Sequence, residues 1–263
     1  MGRTIAIGDI HGCADEFRAL LDRLAIGPED DLVLLGDLVD RGPESGEVVR
    51  EAVRLHQRLG PRLTVLRGNH EHKHLRFEEH ARLPPTRRRN PVRFDDHLAA
   101  VHAQVGDEGW QWLAQHTVLF RRVARGLLAV HAGVLPSVRH WPQREAEVLE
   151  MTPEDQKRLV TSALYVRDVD ARGRFVPLGE QLPGQRFWGD AYNGRFGHVV
   201  HGHSPTRGPI RSHRFSTGVD TGCAFGGALT AVVWHGDVHE ARPPDDVVQE
   251  PARGVYAPWR GEE

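Results

Sequence analysis

Arg3-Thr4-Ile5-Ala6-Ile7-Gly8-Asp9-Ile10-His11-Gly12 is a short apolar run stopped by glycines that bracket an aspartate and a histidine. The run reads as a buried strand and the break as a tight loop carrying polar side chains. Phe17, Leu20, Leu21 and Leu24 follow at helical spacing, which gives one apolar face. The pattern then repeats. Asp31–Leu35 is a second run, broken by Gly36-Asp37, and Leu63–Leu66 is a third, broken by Arg67-Gly68-Asn69-His70. Between them, Ser45 is an expected N-cap, and Val48, Val49, Ala52, Val53 and Leu59 fit an amphipathic helix. Strands alternating with helices at this spacing predict β-α-β units and a parallel core, hence an α/β fold.

Further along, the pattern from about 71 to 119 is helical and polar, interrupted by Leu83-Pro84-Pro85 and by residues 87–91. It reads as a helical insertion with one irregular loop. Gly126–Val130 is another buried strand, ending in His131-Ala132-Gly133. Residues 136–164 read as loop and then helix. The last third is β-like: Val199-Val200 into His201-Gly202-His203, then Gly218–Asp220 and Leu229–Trp234, with a weaker Val238–Val247. Pro243, Pro244, Pro251 and Pro258 mark a Pro-rich tail that wraps the domain or is partly ordered. With no internal repeat or low-complexity segment, residues 1–263 are expected to form one domain.

Composition narrows the function classes. The chain has 263 residues, 39% apolar and 27% charged, with a formal net charge of −2. Nothing global favours nucleic acid or a membrane surface, so attraction for an anionic substrate has to be local. Two cysteines are too few for a disulfide framework, and no leader or membrane-spanning run is visible. A cytoplasmic location is therefore expected. Histidine is over-used, at 17 residues, and only spacing can promote any of them to ligands.

Spacing does so. Gly8-Asp9-Ile10-His11-Gly12, Gly36-Asp37-Leu38-Val39-Asp40-Arg41-Gly42, Gly68-Asn69-His70-Glu71 and His131-Ala132-Gly133 each follow an apolar strand. In open α/β sheets, ligands bind outside the carboxyl ends of strands. Mixed oxygen and imidazole donors suit borderline or hard divalent cations. With Gly202-His203, these motifs resemble the calcineurin-like metallophosphoesterases, within them the phosphoprotein phosphatase family. The run Asp220-Thr221-Gly222-Cys223-Ala224-Phe225-Gly226-Gly227-Ala228-Leu229-Thr230 is similar to the bacterial branch of diadenosine tetraphosphatases and serine/threonine phosphatases.

The resemblance implies a four-layer α/β/β/α fold, a β-sandwich core flanked by helices. It implies two divalent cations, Mn²⁺ before Fe, Zn, Co or Ni. Asp9 and His11 would hold one, Asn69, His131 and His203 the other, and Asp37 would bridge them. His203 is aligned with the ligand and His201 is treated as its neighbour. A metal-bound water would attack phosphorus. Arg41 and Asn69 would bind the phosphoryl group, His70 would act as general acid and Asp40 would orient it. A second phosphate-binding arginine is assigned to Arg195, with Arg167 behind it. The substrate would be a dinucleoside polyphosphate such as diadenosine tetraphosphate, or alternatively a phosphoserine or phosphothreonine protein. No membrane and no stable nucleic-acid partner is expected, and the sequence leaves the oligomeric state open. His72 and His74 are expected on exposed helix positions, and Arg87-Arg88-Arg89 is at most a minor substrate contact. Trp110 and Trp112 would pack the insertion, and Cys13 and Cys223 would be small packed residues.

Overall fold

Successive strand residues point to opposite faces, and the apolar residues here divide accordingly. Ile5, Ile7, Leu32 and Leu34 pack with Phe17, Leu20, Val48 and Val101 in one core, whereas Ala6, Val33 and Leu35 pack with Leu127, Ala129 and Val200 in another. A sheet that is apolar on both faces has to be covered on both. The computed structural model describes residues 2–87, 96–123, 126–236 and 240–259.

The chain runs β1 (Arg3–Ile7), α1 (Ala14–Leu24), β2 (Asp31–Leu34), α2 (Ser45–Leu59), β3 (Leu63–Leu66) and α3 (Asn69–Ala81). It continues through α4 (Asp96–His116), β4 (Thr117–Val118), β5 (Phe120–Val123), β6 (Leu127–Val130) and α5 (Pro153–Tyr165). A small sheet follows, of β7 (Asp168–Val169), β8 (Phe175–Val176) and β9 (Arg186–Phe187), and then a short helix α6 (Trp188–Ala191). The last strands are β10 (His198–His201), β11 (Arg211–His213), β12 (Ser216–Gly218), β13 (Ala228–His235) and β14 (Asp246–Pro251).

One sheet has the order β14-β13-β1-β2-β3-β4 and the other β11-β12-β10-β6-β5. β1 to β4 are parallel, as are β6, β10 and β12, and antiparallel strands finish the edges. Three cores separate four layers. α1, α2 and α4 cover the first sheet, Trp234 and Val232 of β13 lie between the sheets, and α5 with Trp141 and Trp188 covers the second. The expected α/β/β/α order is what the packing shows.

Three local features differ from the sequence reading. Ser45 opens α2 but does not cap it: its hydroxyl accepts a 3.1 Å hydrogen bond from the Asp40 backbone N–H, which ties the helix start to the preceding loop. α4 is two helical pieces across Gly106, whose φ of 70° no continuous helix can hold. The last strand begins at Asp246, late in the expected run, whose Val238 and His239 lie outside the described residues; it is an edge strand with acidic and exposed residues. The tail beyond it is tied down, since Tyr256 and Ala257 both donate backbone hydrogen bonds of 2.9 Å to the Ala224 carbonyl.

Trp234 is fully buried between the sheets, and its indole N–H donates to the Arg242 carbonyl at 3.2 Å. Replacing it with alanine should lower the unfolding free energy by about 3–5 kcal/mol. Urea denaturation checks this, and a loss below 1 kcal/mol, roughly a surface effect, would contradict the layer assignment.

Candidate active site

The parallel strands end on one side, and their loops converge there. β1 delivers Asp9 and His11, β2 delivers Asp37 to Arg41, β3 delivers Asn69 and His70, β6 delivers His131, and β10 delivers His203. Six described non-glycine residues have positive φ, and five of them are His11, Asp37, Asp40, Arg41 and His203. Such conformations cost energy and persist only where the surroundings over-determine them. The glycines between them allow the close approach: a Cβ on Gly202 would fall 1.9 Å from Asp9 Oδ1, and one on Gly68 2.1 Å from Asp37 Oδ1.

Asp37 is the centre of the cluster. One carboxylate oxygen lies 3.5 Å from His11 Nε2 and the other 3.5 Å from His131 Nε2. Both histidines use Nδ1 at 2.9 Å from a backbone carbonyl, Val39 for His11 and Leu35 for His131. A carbonyl only accepts, so Nδ1 carries the proton and the neutral ring turns a bare Nε2 toward Asp37. Burial pushes the His11 and His203 pKa values down to about 3 and lowers that of His131, which keeps the rings neutral. Lone pairs therefore face carboxylate oxygens on both sides of Asp37. A cation on each side resolves that repulsion, so the donor set fits divalent metal.

The other candidates join the same cluster. Asn69 Oδ1 lies 2.9 Å from His131 Nε2 and 2.8 Å from His203 Nδ1. The His203 backbone N–H donates to both Asp9 oxygens, at 3.0 and 3.1 Å. Two groups of side chains share Asp37, one with His11 and His70 and one with His131 and His203, with donor atoms within 4.8 Å of one another. His201 turns away. It is fully buried, packs on Trp188 and Phe187, and lies in neither group.

Asp220 also belongs here, although the sequence reading used it only as part of a run. Burial pushes its carboxyl up to about 7, and burial with the Asp220 and Asp37 charges raises Asp9 as well. This acidic crowding again calls for cationic neutralisation. The signal in the sequence is its place two residues past the end of β12, as Asp9 lies two residues past the end of β1.

Glu71 fixes the loops. Its buried carboxylate accepts from the backbone N–H groups of Asp37, Leu38, Val39 and Gly68, at 2.8 to 3.2 Å. Burial and the neighbouring Asp37 push its pKa up to about 7 against the pull of these donors. The signal was present, because Glu71 sits at the third position of α3, where a carboxylate turns back to the helix start.

Asp40 is held by more than His70. His70 Nδ1 donates to Oδ2 at 2.5 Å and Lys73 Nζ to the same oxygen at 2.6 Å, while His74 Nε2 donates to Oδ1 at 2.8 Å. His97 of α4 reaches Oδ1 at 3.3 Å. Burial alone would raise this carboxyl, but His70 and His74 hold it well below the usual range. His74 is thus not exposed as expected: it is fully buried and stacked on Trp110, ring centroids 4.8 Å apart. The spacing from His70 to His74 is i to i+4, one face of α3, and that was the overlooked clue. His72 is half-buried beside Tyr165.

Arg41 is exposed at the rim, its guanidinium 4.9 Å from the Phe225 ring centroid. Arg195 is not brought to the cluster. Its Nη2 is committed to the carbonyls of Leu135, Pro136 and Val138, and its guanidinium lies over Phe196, so it staples a loop instead. Arg167 has an acidic neighbour, Asp168, at 3.7 Å. Of the arginine run, Arg88 and Arg89 lie outside the described residues. Cys13 and Cys223 are buried, as expected, beside Glu16.

The calcineurin-like phosphoesterase family model matches residues 2–241. A symmetrical bis(5'-nucleosyl)-tetraphosphatase of Acidovorax sp. (strain JS42) is 33% identical, over 86% of this chain and 90% of its own. An asymmetrical bis(5'-nucleosyl)-tetraphosphatase of Halalkalibacterium halodurans is 32% identical, over 86% and 87%. A solved structure assigned as a diadenosine tetraphosphatase superposes with a TM-score of 0.65 at 25% identity, over 99% and 95% of the two chains. A serine/threonine phosphatase from Saccharomyces cerevisiae shares the fold, with a TM-score of 0.59 at 17% identity. This chain belongs to the calcineurin-like phosphoesterase family and is a phosphoesterase hydrolase, and membership implies divalent metal ions.

Glu71→Ala leaves four buried N–H donors unpaired, so stability should fall by about 3 kcal/mol or more. Glu71→Gln, which keeps one acceptor oxygen, should lose less. Denaturant unfolding of both variants checks the order, and a stable Glu71→Ala would remove Glu71 as the clamp.

Proposed function

We propose that the chain is a dinuclear-metal phosphohydrolase that cleaves dinucleoside polyphosphates such as diadenosine tetraphosphate. The observation that carries the reaction class is the pair of bare imidazole nitrogens, one facing each oxygen of Asp37. Asp9 and His11 would hold one cation, Asn69, His131 and His203 the other, with Asp37 shared. When bound, the two cations, Mn²⁺ first among the candidates, supply the Lewis acidity that activates water and offsets charge at phosphorus.

The chain's own groups do the rest. The Arg41 guanidinium, exposed at the rim, presents a fork of donors to the phosphoryl oxygens. Asn69, whose Oδ1 sits between His131 and His203, would offer its amide N–H groups to the same phosphoryl group. His70 has Nδ1 tied to Asp40 and turns Nε2 toward the cluster, 3.8 Å from Asp37 Oδ2. From there Nε2 can give its proton to the leaving oxygen. Asp40, held by Lys73 and His74 as well, keeps that ring from swinging. The dinucleotide substrate is supported by relatives that span nearly the whole chain and are named for it. They divide between symmetrical and asymmetrical cleavage, so the products decide which applies here. Among the described residues no helix is long and apolar enough to cross a membrane. A nucleotide substrate and two buried free cysteines support a cytoplasmic place.

Incubation of the purified chain with Mn²⁺ and diadenosine tetraphosphate, beside a phosphopeptide, tests the substrate. ADP alone would mean symmetrical cleavage, and ATP with AMP asymmetrical. An inert dinucleotide with a turned-over phosphopeptide would replace this reading with a protein phosphatase. Chelation should abolish activity and Mn²⁺ should restore it. His70→Asn should lower kcat by about 100- to 10,000-fold with the metal content retained. The loss should shrink on esters whose leaving group needs no proton. Equal losses on both kinds of ester would take His70 out of the acid role.

A further inference from the structure

The rim beyond Arg41 carries a line of side chains that the metal chemistry does not use. The Arg41 guanidinium lies over Phe225 at 4.9 Å. Phe225 meets Trp259 edge to face, centroids 5.2 Å apart at 77°. The Arg207 guanidinium then lies 5.8 Å from the Trp259 centroid. Arg207 follows His203 by four residues, so both ends of this line start in loops of the cluster. Gly222, with a φ of +72°, packs beside both rings: a Cβ there would come to 3.0 Å from the Thr206 carbonyl oxygen and into ordinary contact, 3.6 Å, with Phe225 and Trp259.

Trp259 is not needed to anchor the tail. Three backbone hydrogen bonds upstream already do that: Ala252 N–H to Gly227, and Tyr256 and Ala257 N–H to Ala224, the Tyr256 bond forming part of the bridge between Val255 and Phe225. The Glu16 carboxylate adds two more holds, accepting from the Arg253 N–H and the Tyr256 hydroxyl, both at 2.8 Å. A tail held this firmly presents a half-buried indole beside an exposed arginine. Alternating guanidinium and aromatic groups suit a ligand that alternates anionic phosphate with a flat π-face.

We infer that Trp259, supported by Phe225 and Arg207, is a platform for the nucleobase attached to the phosphate chain that Arg41 and the cluster engage. This rests on the nucleotide reading of the substrate and adds the subsite that reads the nucleoside. The indole stacks on the base, and Arg207 neutralises phosphate charge next to it.

The test compares ADP with inorganic pyrophosphate as inhibitors of p-nitrophenyl phosphate hydrolysis, since the two differ only by the adenosine. The wild-type chain should bind ADP about tenfold more tightly, the scale of one aromatic–base stack. In Trp259→Ala that ratio should fall to about one, and in Trp259→Phe most of it should remain. Because each variant serves as its own reference, a general loss of activity cancels. A wild-type ratio near one, a ratio kept in Trp259→Ala, or a Trp259→Phe no better than alanine would each overturn the platform. A wild-type chain that leaves diadenosine tetraphosphate uncut would instead sink the proposed substrate, and the ADP ratio would still decide the platform.

Discussion

One buried carboxylate holds two loops in register. Glu71 gathers backbone N–H groups from the loop after β2 and from the turn after β3. Without it, four donors would be buried without a partner, and the loop carrying Asp37 to Arg41 would have no reason to take its path. The strained backbone at Asp37, Asp40 and Arg41 is the geometric counterpart of that clamp. The clamp reaches them through main chain, so the identity of the side chains above it is free to serve chemistry.

The six candidate metal residues were legible as a group because each occupies a polar break at the end of an apolar strand. Periodicity likewise showed the helices and most strands, since Ile5, Ala6 and Ile7 already alternate between two faces. What escaped was whatever depended on a partner far off in the chain. His74 looks like one more polar residue on a polar helix until α4 covers it with Trp110. Arg195 looks like a phosphate ligand in its glycine-flanked loop, but the carbonyls that claim it come from residues 135–138. β14 escaped because its stabilisation lies in pairing with β13 and not in its own apolar pattern. Local composition carries no record of such meetings.

The helical insertion is more than padding. Asp40 is braced by Lys73 and His74 of α3 and approached by His97 of α4, while Trp110 of α4 stacks on His74 and His102 of α4 packs beside it at a tilt. Packing between two surface helices thereby bears on the carboxylate that orients His70. Each added donor makes the position of Asp40 more nearly unique, at the cost of burying several polar groups in one place.

The positive φ values have a bearing on how such a chain can change over generations. Five side chains sit where glycine would be more comfortable, so glycine at Asp40, Arg41 or His203 would relieve local strain while removing the contacts that side chain makes. At Asp40 the backbone relief would be offset by His70, Lys73 and His74 left without their carboxylate. Ease of backbone and satisfaction of buried side chains therefore pull in opposite directions at these loops, and glycine is no free route to a sturdier fold.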